Sequence, residues 1–250
     1  MRNIKHKKVW FITGASHGLG LALVRQLLER GDQVAATTRS LAELSRNITA
    51  LAGNFLPLQV DLTDEQAIEQ AIAATYKMFG RIDVVVNNAG YPVHGPAEEL
   101  GPAVIDRCFA LNTVAPITVM HKVLPHLKKQ GSGYVLNISS LSACAAAAET
   151  DLYTATKYAI LGVSDCIMEE VRNQDIHITV VVPSSFQTQL WAREYFTLED
   201  VRLNDHDEVA SGFITLADDT EPPRILLLDN HFEHHLKIQK HTNNEIQFVR

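Results

Sequence analysis

A phenol and an ammonium lie four residues apart in the segment Tyr153-Thr154-Ala155-Thr156-Lys157. On an α-helix, side chains at positions i and i+4 share a face, so the two groups can interact. A free phenol titrates near pH 10, and a neighbouring cation favours the phenolate and lowers the pKa. Such a tyrosine can act as a general acid in carbonyl reduction and as a general base in alcohol oxidation. The same spacing also occurs in ordinary surface pairs, so its place in the fold decides between the two interpretations.

Two serines come shortly before this pair. Ser139 and Ser140 end a predicted strand, and Ser140 lies thirteen residues before Tyr153. In an open α/β sheet, ligands gather outside the carboxyl ends of the strands. We therefore expect a serine hydroxyl to hydrogen-bond the substrate oxygen with which Tyr153 exchanges its proton.

A glycine-rich loop, Thr13-Gly14-Ala15-Ser16-His17-Gly18-Leu19-Gly20, joins a predicted strand to a predicted helix. Its glycines are spaced GxxxGxG, which differs from the common GxGxxG fingerprint, so spacing alone is weak evidence. Glycine allows the backbone to approach a ligand closely, and the N-terminus of the next helix offers free N–H groups and a partial positive charge. The loop is therefore predicted to hold a pyrophosphate, the alternative being a tight structural turn.

The end of the second predicted strand bears on the choice of cofactor. A fold that prefers NAD places Asp or Glu there, against the ribose hydroxyls. This chain has Thr37-Thr38-Arg39-Ser40 instead, and Asp32 lies at the opposite end of the strand. An arginine makes charge-assisted bidentate bonds to phosphate, and His17 can add a second donor. We therefore predict that NADP(H) is favoured, with NAD(H) possible; the alternative is that Arg39 is a solvated surface side chain.

Strands and helices alternate along the chain, as in parallel βαβ units wound on both faces of one sheet. The fold class predicted is thus α/β, a doubly wound, Rossmann-type parallel sheet of about seven strands in a single domain, residues 1–250. We predict strands at Lys8–Thr13, Gln33–Thr37, Asn54–Val60, Asp83–Asn87, Gly133–Ser139, His177–Val182 and Arg224–Leu228. Predicted helices span Leu19–Arg30, Leu41–Leu51, Thr63–Phe79 (with Thr63 as N-cap and Gln66 at N3), Pro102–His126 and Tyr153–Arg172, and Leu198–Leu216 is predicted to form one or two helices.

Composition excludes several classes of protein. The 250 residues are 46% hydrophobic, enough to bury a core, so the chain is not intrinsically disordered. Its 22 Lys+Arg and 29 Asp+Glu give a net charge of −7, which disfavours binding to nucleic acid. The sequence suggests neither a membrane span nor a signal peptide. Three cysteines without metal-site spacing favour a reducing compartment, so we expect a cytoplasmic protein.

Several motifs occur in order and together resemble one family: the glycine loop, Asp61-Leu62-Thr63, Asn87-Asn88-Ala89-Gly90, Asn112, Ser139-Ser140, and Tyr153 with Lys157. On these residues the chain resembles the short-chain dehydrogenase/reductase superfamily, in its single-domain branch. The resemblance runs from about Lys8 to Thr188, and more loosely to Asp229. The segments Asn87–Tyr91 and Gly95–Leu100 are also similar to the branch that includes 17β-hydroxysteroid and retinol dehydrogenases.

The resemblance implies an oxidoreductase that moves a hydride between a nicotinamide cofactor and a carbonyl or secondary alcohol. It implies that Tyr153 is the acid/base, that Ser140 orients the substrate oxygen, that Lys157 holds the nicotinamide ribose and tunes Tyr153, and that Asn112 supports a water relay. Asp61 and Leu62 would flank the adenine, and Asn88 to Gly90 would line the cofactor floor. The predicted cofactor-binding set is Gly14, Ser16, His17, Gly18, Leu19, Gly20, Thr38, Arg39, Asp61, Leu62, Asn88, Ala89, Gly90, Tyr153, Lys157, Pro183 and Thr188. Relatives commonly form homodimers or homotetramers through the helices near Asn112 and Tyr153.

The chain departs from the family pattern in the segments that border the nicotinamide and the substrate. It has Pro183-Ser184 where members usually have Pro-Gly, and Ala143–Glu149 where they often have Gly and Pro-Gly. The substrate-covering region, residues 189–220, is shorter than usual. These departures keep open a different interpretation, a dinucleotide-binding sensor or scaffold protein with little catalytic activity.

Other candidate groups carry less weight. His231, His234 and His235 have a spacing that could bind metal, but no carboxylate or cysteine supports it, so we predict no metal site and a polar tail at 230–250. Cys144 has no neighbour that would activate its thiol. Trp191, Tyr195 and Phe196 are candidates for substrate contact or for packing. The predicted partner is a small carbonyl or alcohol, with no nucleic acid and no membrane.

Overall fold

The computed structural model of the protein describes residues 7–48, 53–140, 142, 147–183, 205–220 and 222–228. Its strands are β1 (Val9–Ile12), β2 (Gln33–Thr38), β3 (Phe55–Gln59), β4 (Val84–Asn87), β5 (Ser132–Ile138), β6 (Asp175–Pro183) and β7 (Ile225–Leu228). Its α-helices are α1 (Gly18–Arg30), α2 (Leu41–Asn47), α3 (Glu65–Phe79), α4 (Pro102–Phe109), α5 (Ala115–Gln130), α6 (Asp151–Val171) and α7 (His206–Leu216).

The strands form one sheet in the order β3-β2-β1-β4-β5-β6-β7, and every neighbouring pair is parallel. The chain runs outward from β1 in one direction through β3, then returns to add β4 on the other side of β1. A crevice forms at the carboxyl ends of the strands where the order reverses, which is where such sheets bind ligands. The prediction of a doubly wound parallel sheet is confirmed.

The packing of the core explains why the sequences of the strands are continuous apolar runs. All four residues of β1 are at most 1% exposed, because successive side chains point to opposite faces and both faces are covered. Trp10 and Ile12 pack into a cluster with α1 and α7, whereas Phe11 packs into a second cluster with α3 and α5. The two clusters hold the sheet rigidly between two layers of helices.

The N-cap of α3 corrects the sequence prediction. Asp64, not Thr63, caps this helix, and its carboxylate accepts hydrogen bonds from Gln66 N at 2.8 Å and Ala67 N at 3.3 Å. A carboxylate at this position also interacts favourably with the helix dipole. Thr63 instead donates its hydroxyl to Asp61 Oδ1 at 2.7 Å, so the turn before the helix is organised by two aspartates.

The predicted helix Pro102–His126 is interrupted. Between α4 and α5 the backbone makes a π-helical turn over Ala110–Val114, and α5 continues to Gln130. The run Pro102–Gln130 is long and apolar enough to cross a membrane by length and composition. Its apolar character is also accounted for by packing, because one side of α5 lies in the core cluster that contains Phe11.

Helix α7 is the described part of the region predicted to cover the substrate. It packs on α1, where Ser211 Oγ donates to Gln26 Oε1 at 2.9 Å and Gln26 Nε2 donates to Asp207 O at 2.8 Å. The remainder of that region, 189–204, and the predicted tail 230–250 lie outside the described residues, as do Ser184 and Thr188. The other predictions there are also outside: Cys144, Trp191, Tyr195, Phe196, His231, His234 and His235.

Candidate active site

Tyr153 and Lys157 lie one turn apart on α6, at the carboxyl end of β5. The Lys157 ammonium is 5.4 Å from the centre of the Tyr153 ring and donates a hydrogen bond to Ile138 O, the last residue of β5, at 3.0 Å. Lys157 is only 5% exposed. The predicted spacing of the pair on one helical face is thus realised, and the strand carbonyl fixes the position of the ammonium.

The pKa of Tyr153 is set mainly by burial. Burial raises the pKa of Tyr153 to about 12, although a hydrogen bond with the side chain of Ser140 lowers it in part. The Lys157 ammonium lies over the ring and donates to Ile138 O, and its predicted role in lowering the pKa of Tyr153 stays a prediction. Burial also lowers the pKa of Lys157 to about 8. At neutral pH the phenol therefore holds its proton.

The pKa of Lys157 predicts how stability depends on pH in the absence of cofactor. Between pH 8 and 10.5 the unfolded chain binds more protons at this lysine than the folded chain, so the free energy of unfolding rises with pH in this window. Lys157→Met removes the contribution of this lysine to the pH dependence of the free energy of unfolding. From pH 7.5 to 9.5, urea unfolding should show wild type gaining about 2 kcal/mol relative to the variant.

The matched control for this prediction is Lys128→Met, which removes an exposed lysine near the end of α5. The difference in free energy of unfolding between Lys128→Met and wild type should stay constant over the same pH range. A constant difference for Lys157→Met as well would contradict the burial of a charged ammonium at this site.

Asn112 lies in the π-helical turn and connects it to the loop after β4 and to α6. Its Oδ1 accepts a hydrogen bond from Tyr91 N at 2.6 Å, and its Nδ2 donates to Tyr91 O at 2.8 Å. Nδ2 also lies 3.2 Å from Thr156 Oγ1, which donates to Tyr153 O at 2.7 Å. Asn112 is 1% exposed, and its predicted role in a water relay stays a prediction.

Thr156 is a site residue that the sequence reasoning missed. It is fully buried and links Asn112 to the backbone of Tyr153. The available signal was its position three residues after Tyr153 and next to Lys157, which places a short hydroxyl beside both catalytic candidates.

The glycine loop is held in place by Asn88. Its Nδ2 donates to Thr13 O and Gly14 O, each at 3.0 Å, and its backbone N donates to Thr13 Oγ1 at 3.1 Å. A Cβ on Gly20 would lie 2.4 Å from Gly14 O and 2.6 Å from Asn88 Nδ2. A Cβ on Gly14, whose φ is 68°, would lie 2.8 Å from Ala89 Cα. Both glycines are therefore needed for the close packing of the loop on the residues after β4.

The N-terminus of α1 has the character of an anion site. Its N-cap, His17, makes no side-chain capping bond, and the first turn contains no acidic residue. Gly18 has a φ of 52° and, like His17, is exposed, while Ser16 is half-buried and Leu19 is buried. The N–H groups of this turn and the helix dipole favour an anion, and a pyrophosphate fits this donor set.

The carboxyl ends of β2 and β3 supply the next predicted cofactor residues. Arg39 is exposed, and its carbonyl accepts a hydrogen bond from Gln59 Nε2 at 3.2 Å. Hydrogen bonds from Thr63 hold the pKa of Asp61 below its usual value, with a smaller contribution from Arg39. Thr38 Oγ1 accepts from Ser40 N at 3.0 Å. Asp32 is remote, since it pairs with Arg30 at the opposite end of β2, so it is Arg39 that borders the crevice.

The carboxyl end of β4 forms the next part of the crevice. Asn87 is 5% exposed, and its Oδ1 has no hydrogen-bond partner among the described residues. It lines a small cavity with Leu62 and Ala89. A Cβ on Gly90 would lie 3.9 Å from Lys157 Nζ, so the crevice continues to Lys157 and Tyr153. Pro183 ends β6, two strands from β4. This arrangement fits an extended dinucleotide.

Comparison with known proteins agrees with this geometry. A sequence profile described as short chain dehydrogenase matches residues 8–197. The chain belongs to the short-chain dehydrogenase family. It is 37% identical over 188 residues to the oxidoreductase BOA17 of Botryotinia fuckeliana, covering 74% of this chain and 68% of that protein. The resemblance inferred from the motifs is confirmed.

Solved structures of other short-chain dehydrogenases share the fold. ElxO with NADP bound aligns with a TM-score of 0.81 and 26% identity, covering 89% of this chain and 96% of that one. The 3-ketoacyl-(acyl-carrier-protein) reductase of Brucella melitensis, complexed with NADH, aligns with a TM-score of 0.82 and 25% identity over 89% and 96% of the two chains. The protein is thus an NAD(P)-dependent dehydrogenase/reductase with a small-molecule substrate.

Proposed function

We propose that the protein is an NADP(H)-preferring oxidoreductase that interconverts a carbonyl compound and a secondary alcohol, with Tyr153 as the general acid/base. The observation that carries the proposal is the convergence of three groups at the end of β5. Ser140 hydrogen-bonds with Tyr153, and Lys157 lies over the same ring while bonded to Ile138 O. A phenol, a hydroxyl and an ammonium so placed can bind a carbonyl oxygen and protonate it.

The chain's own groups act on the substrate oxygen. When bound, the nicotinamide supplies or accepts the hydride. Ser140 donates a hydrogen bond that orients the substrate oxygen, and Tyr153 gives its proton to that oxygen as negative charge develops there. Because burial raises the pKa of Tyr153 to about 12, the protonated form prevails at neutral pH. This form serves the direction of carbonyl reduction.

The preference for NADP(H) rests on charge at the end of β2. Arg39 is exposed next to Thr38, and a guanidinium matches the charge and geometry of a 2′-phosphate. The solved relatives include both an NADP and an NADH complex, so the preference rests on Arg39 rather than on them. Lys157 and the N-terminus of α1 would hold the nicotinamide ribose and the pyrophosphate.

The proposal extends to assembly and location. Apolar side chains are exposed on the helices beside the site: Ile105, Val114 and Tyr158, at 39%, 54% and 50%. Exposed apolar groups on neighbouring helices support a homodimer or homotetramer formed there. Cys108 and Cys166 are free thiols, which supports a reducing, cytoplasmic location.

The test measures binding and turnover side by side. We expect the protein to bind NADPH in a direct titration and to oxidise it, followed at 340 nm, with at least one member of a panel of aldehydes and ketones. A reaction without carbonyl compound is the control. Binding with no turnover across the panel would favour the sensor or scaffold function instead, and failure to bind either NADPH or NADH would contradict both functions.

A further inference from the structure

Two loops meet on one side of Tyr153. The loop after β4 carries His94, and the turn before α6 carries Glu149. Gly95 N donates a hydrogen bond to Glu149 O at 3.0 Å, which joins the two segments. The His94 ring is tilted at 38° to the Tyr153 ring, with 6.5 Å between their centres. The imidazole of His94 thus lies beside the proposed proton donor, and Glu149 is close enough to act electrostatically on that imidazole.

The backbone of Glu149 is strained. Among the described residues other than glycine, Glu149 alone has a φ in the left-handed region, at 61°. That conformation is unfavourable for a residue with a side chain, whereas glycine adopts it freely. Strain of this kind is concentrated at functional sites. A glutamate in this conformation therefore points to a use for its side chain.

The polar groups of the two residues suit a neutral or cationic donor. Glu149 Oε2 is buried and has no hydrogen-bond partner among the described residues, and an unsatisfied buried acceptor is destabilising unless a ligand supplies the missing hydrogen bond. Burial lowers the pKa of His94 more than the carboxylate of Glu149 raises it, so the imidazole is neutral at pH 7. The Glu149 carboxylate makes the space beside His94 attractive to a hydrogen-bond donor and repulsive to an anion.

We propose that His94 and Glu149 form a substrate subsite that binds a hydrogen-bond donor, a hydroxyl or an ammonium, on the carbon next to the one that reacts. This rests on the proposed function, because Tyr153 must hold the reacting oxygen. The 6.5 Å between the centres of the His94 and Tyr153 rings puts this subsite beside the reacting oxygen, so we assign the donor to the carbon next to the reacting one. The substrate class is therefore an α-hydroxycarbonyl or α-aminocarbonyl compound, or the corresponding alcohol.

The test compares ketones that differ only in the donor. The probes are 2-hydroxyacetophenone, 2-methoxyacetophenone, which has a similar inductive effect but no donor, and 2-(dimethylamino)acetophenone, whose amine carries an N–H donor when protonated. For wild type we expect kcat/KM to be at least about 10-fold higher for the hydroxy or the amino ketone than for the methoxy ketone. The compound with the larger ratio identifies whether hydroxyl or ammonium is the natural donor.

Variants of Glu149 connect the preference to the subsite. Glu149→Gly removes the carboxylate and relieves the strained φ, so it should fold. It should lower the donor preference, the ratio of kcat/KM for the hydroxy or amino ketone to that for the methoxy ketone, to about 1. Glu149→Gln keeps an acceptor without charge, and should lower the ratio for the amino ketone more than the ratio for the hydroxy ketone. Glu98→Gln removes an exposed carboxylate from the segment after β4 that carries His94 and should leave both ratios unchanged.

The outcomes separate this proposal from the proposed function. If wild type reduces the ketones with equal kcat/KM, or if Glu149→Gly keeps the donor preference, the subsite is wrong and the oxidoreductase function stands. If wild type oxidises NADPH with none of these ketones or the wider carbonyl panel, the proposed function fails and the subsite with it. A donor preference that Glu149→Gly abolishes and Glu98→Gln retains establishes the subsite.

Discussion

Replacement of Tyr153 by phenylalanine is expected to lower kcat for carbonyl reduction by about 10²–10⁴-fold, the usual contribution of a positioned general acid. Phenylalanine keeps the ring that packs under Lys157 and removes the hydroxyl that hydrogen-bonds with Ser140. Tyr158, the nearest tyrosine along α6, is half exposed to solvent and is not expected to take its place. The loss should appear in kcat, since the proton is needed when charge develops on the substrate oxygen.

Two measurements show that such a loss is chemical. The variant should bind NADPH with nearly unchanged affinity in a direct titration and should unfold at nearly the wild-type temperature. Tyr158→Phe removes an exposed phenol from the same helix and should keep full activity. Turnover by Tyr153→Phe within a few-fold of wild type would show that another group protonates the substrate.

Replacement of Arg39 by aspartate is expected to lower the ratio of kcat/KM for NADPH to that for NADH by about 10²-fold or more. A hydrogen bond to a charged group contributes about 1.5–3 kcal/mol, and a carboxylate in its place repels a 2′-phosphate while accepting hydrogen bonds from ribose hydroxyls. Arg39 is exposed at the end of β2, so the exchange should leave the fold intact. Most of the change should be a higher KM for NADPH.

The control for Arg39→Asp is Arg46→Asp, which makes the same change of charge on the exposed side of α2. It should leave the cofactor ratio nearly unchanged, because screening by salt weakens the effect of a distant charge. If the ratio is also unchanged in Arg39→Asp, then Arg39 is a solvated surface residue and the preference for NADP(H) has no basis at this position.

The sheet and the order of its elements could be predicted because local patterns determine them. Short apolar runs such as Val9–Ile12 are required wherever a parallel strand is covered on both faces, and glycine stops such as Gly31, with a φ of 87°, are required where a helix ends. Asp64 shows where local rules stop. Thr63 and Asp64 are both good N-caps, and the contact of Thr63 with Asp61 selects between them.

The properties of the site depend on contacts between distant parts of the chain, which spacing does not contain. The pair Tyr153 and Lys157 could be found from the sequence, but the pKa of Tyr153 could not, because it depends on burial and on the hydrogen bond with Ser140. Likewise Glu149 belongs to no recognised motif, and its importance is visible only in its backbone conformation beside His94.

The π-helical turn at Ala110–Val114 determines what kinds of length change this enzyme can accept. A residue added to or removed from a helix rotates everything beyond it by about 100°, and here α4 and α5 lie on either side of Asn112. Losing one residue in this turn would swing the apolar side of α5 away from β1 and β4, or swing Asn112 away from Tyr91. Variation among natural homologues of this chain is therefore expected to take the form of substitutions in this segment, with insertions and deletions displaced to the loops on either side.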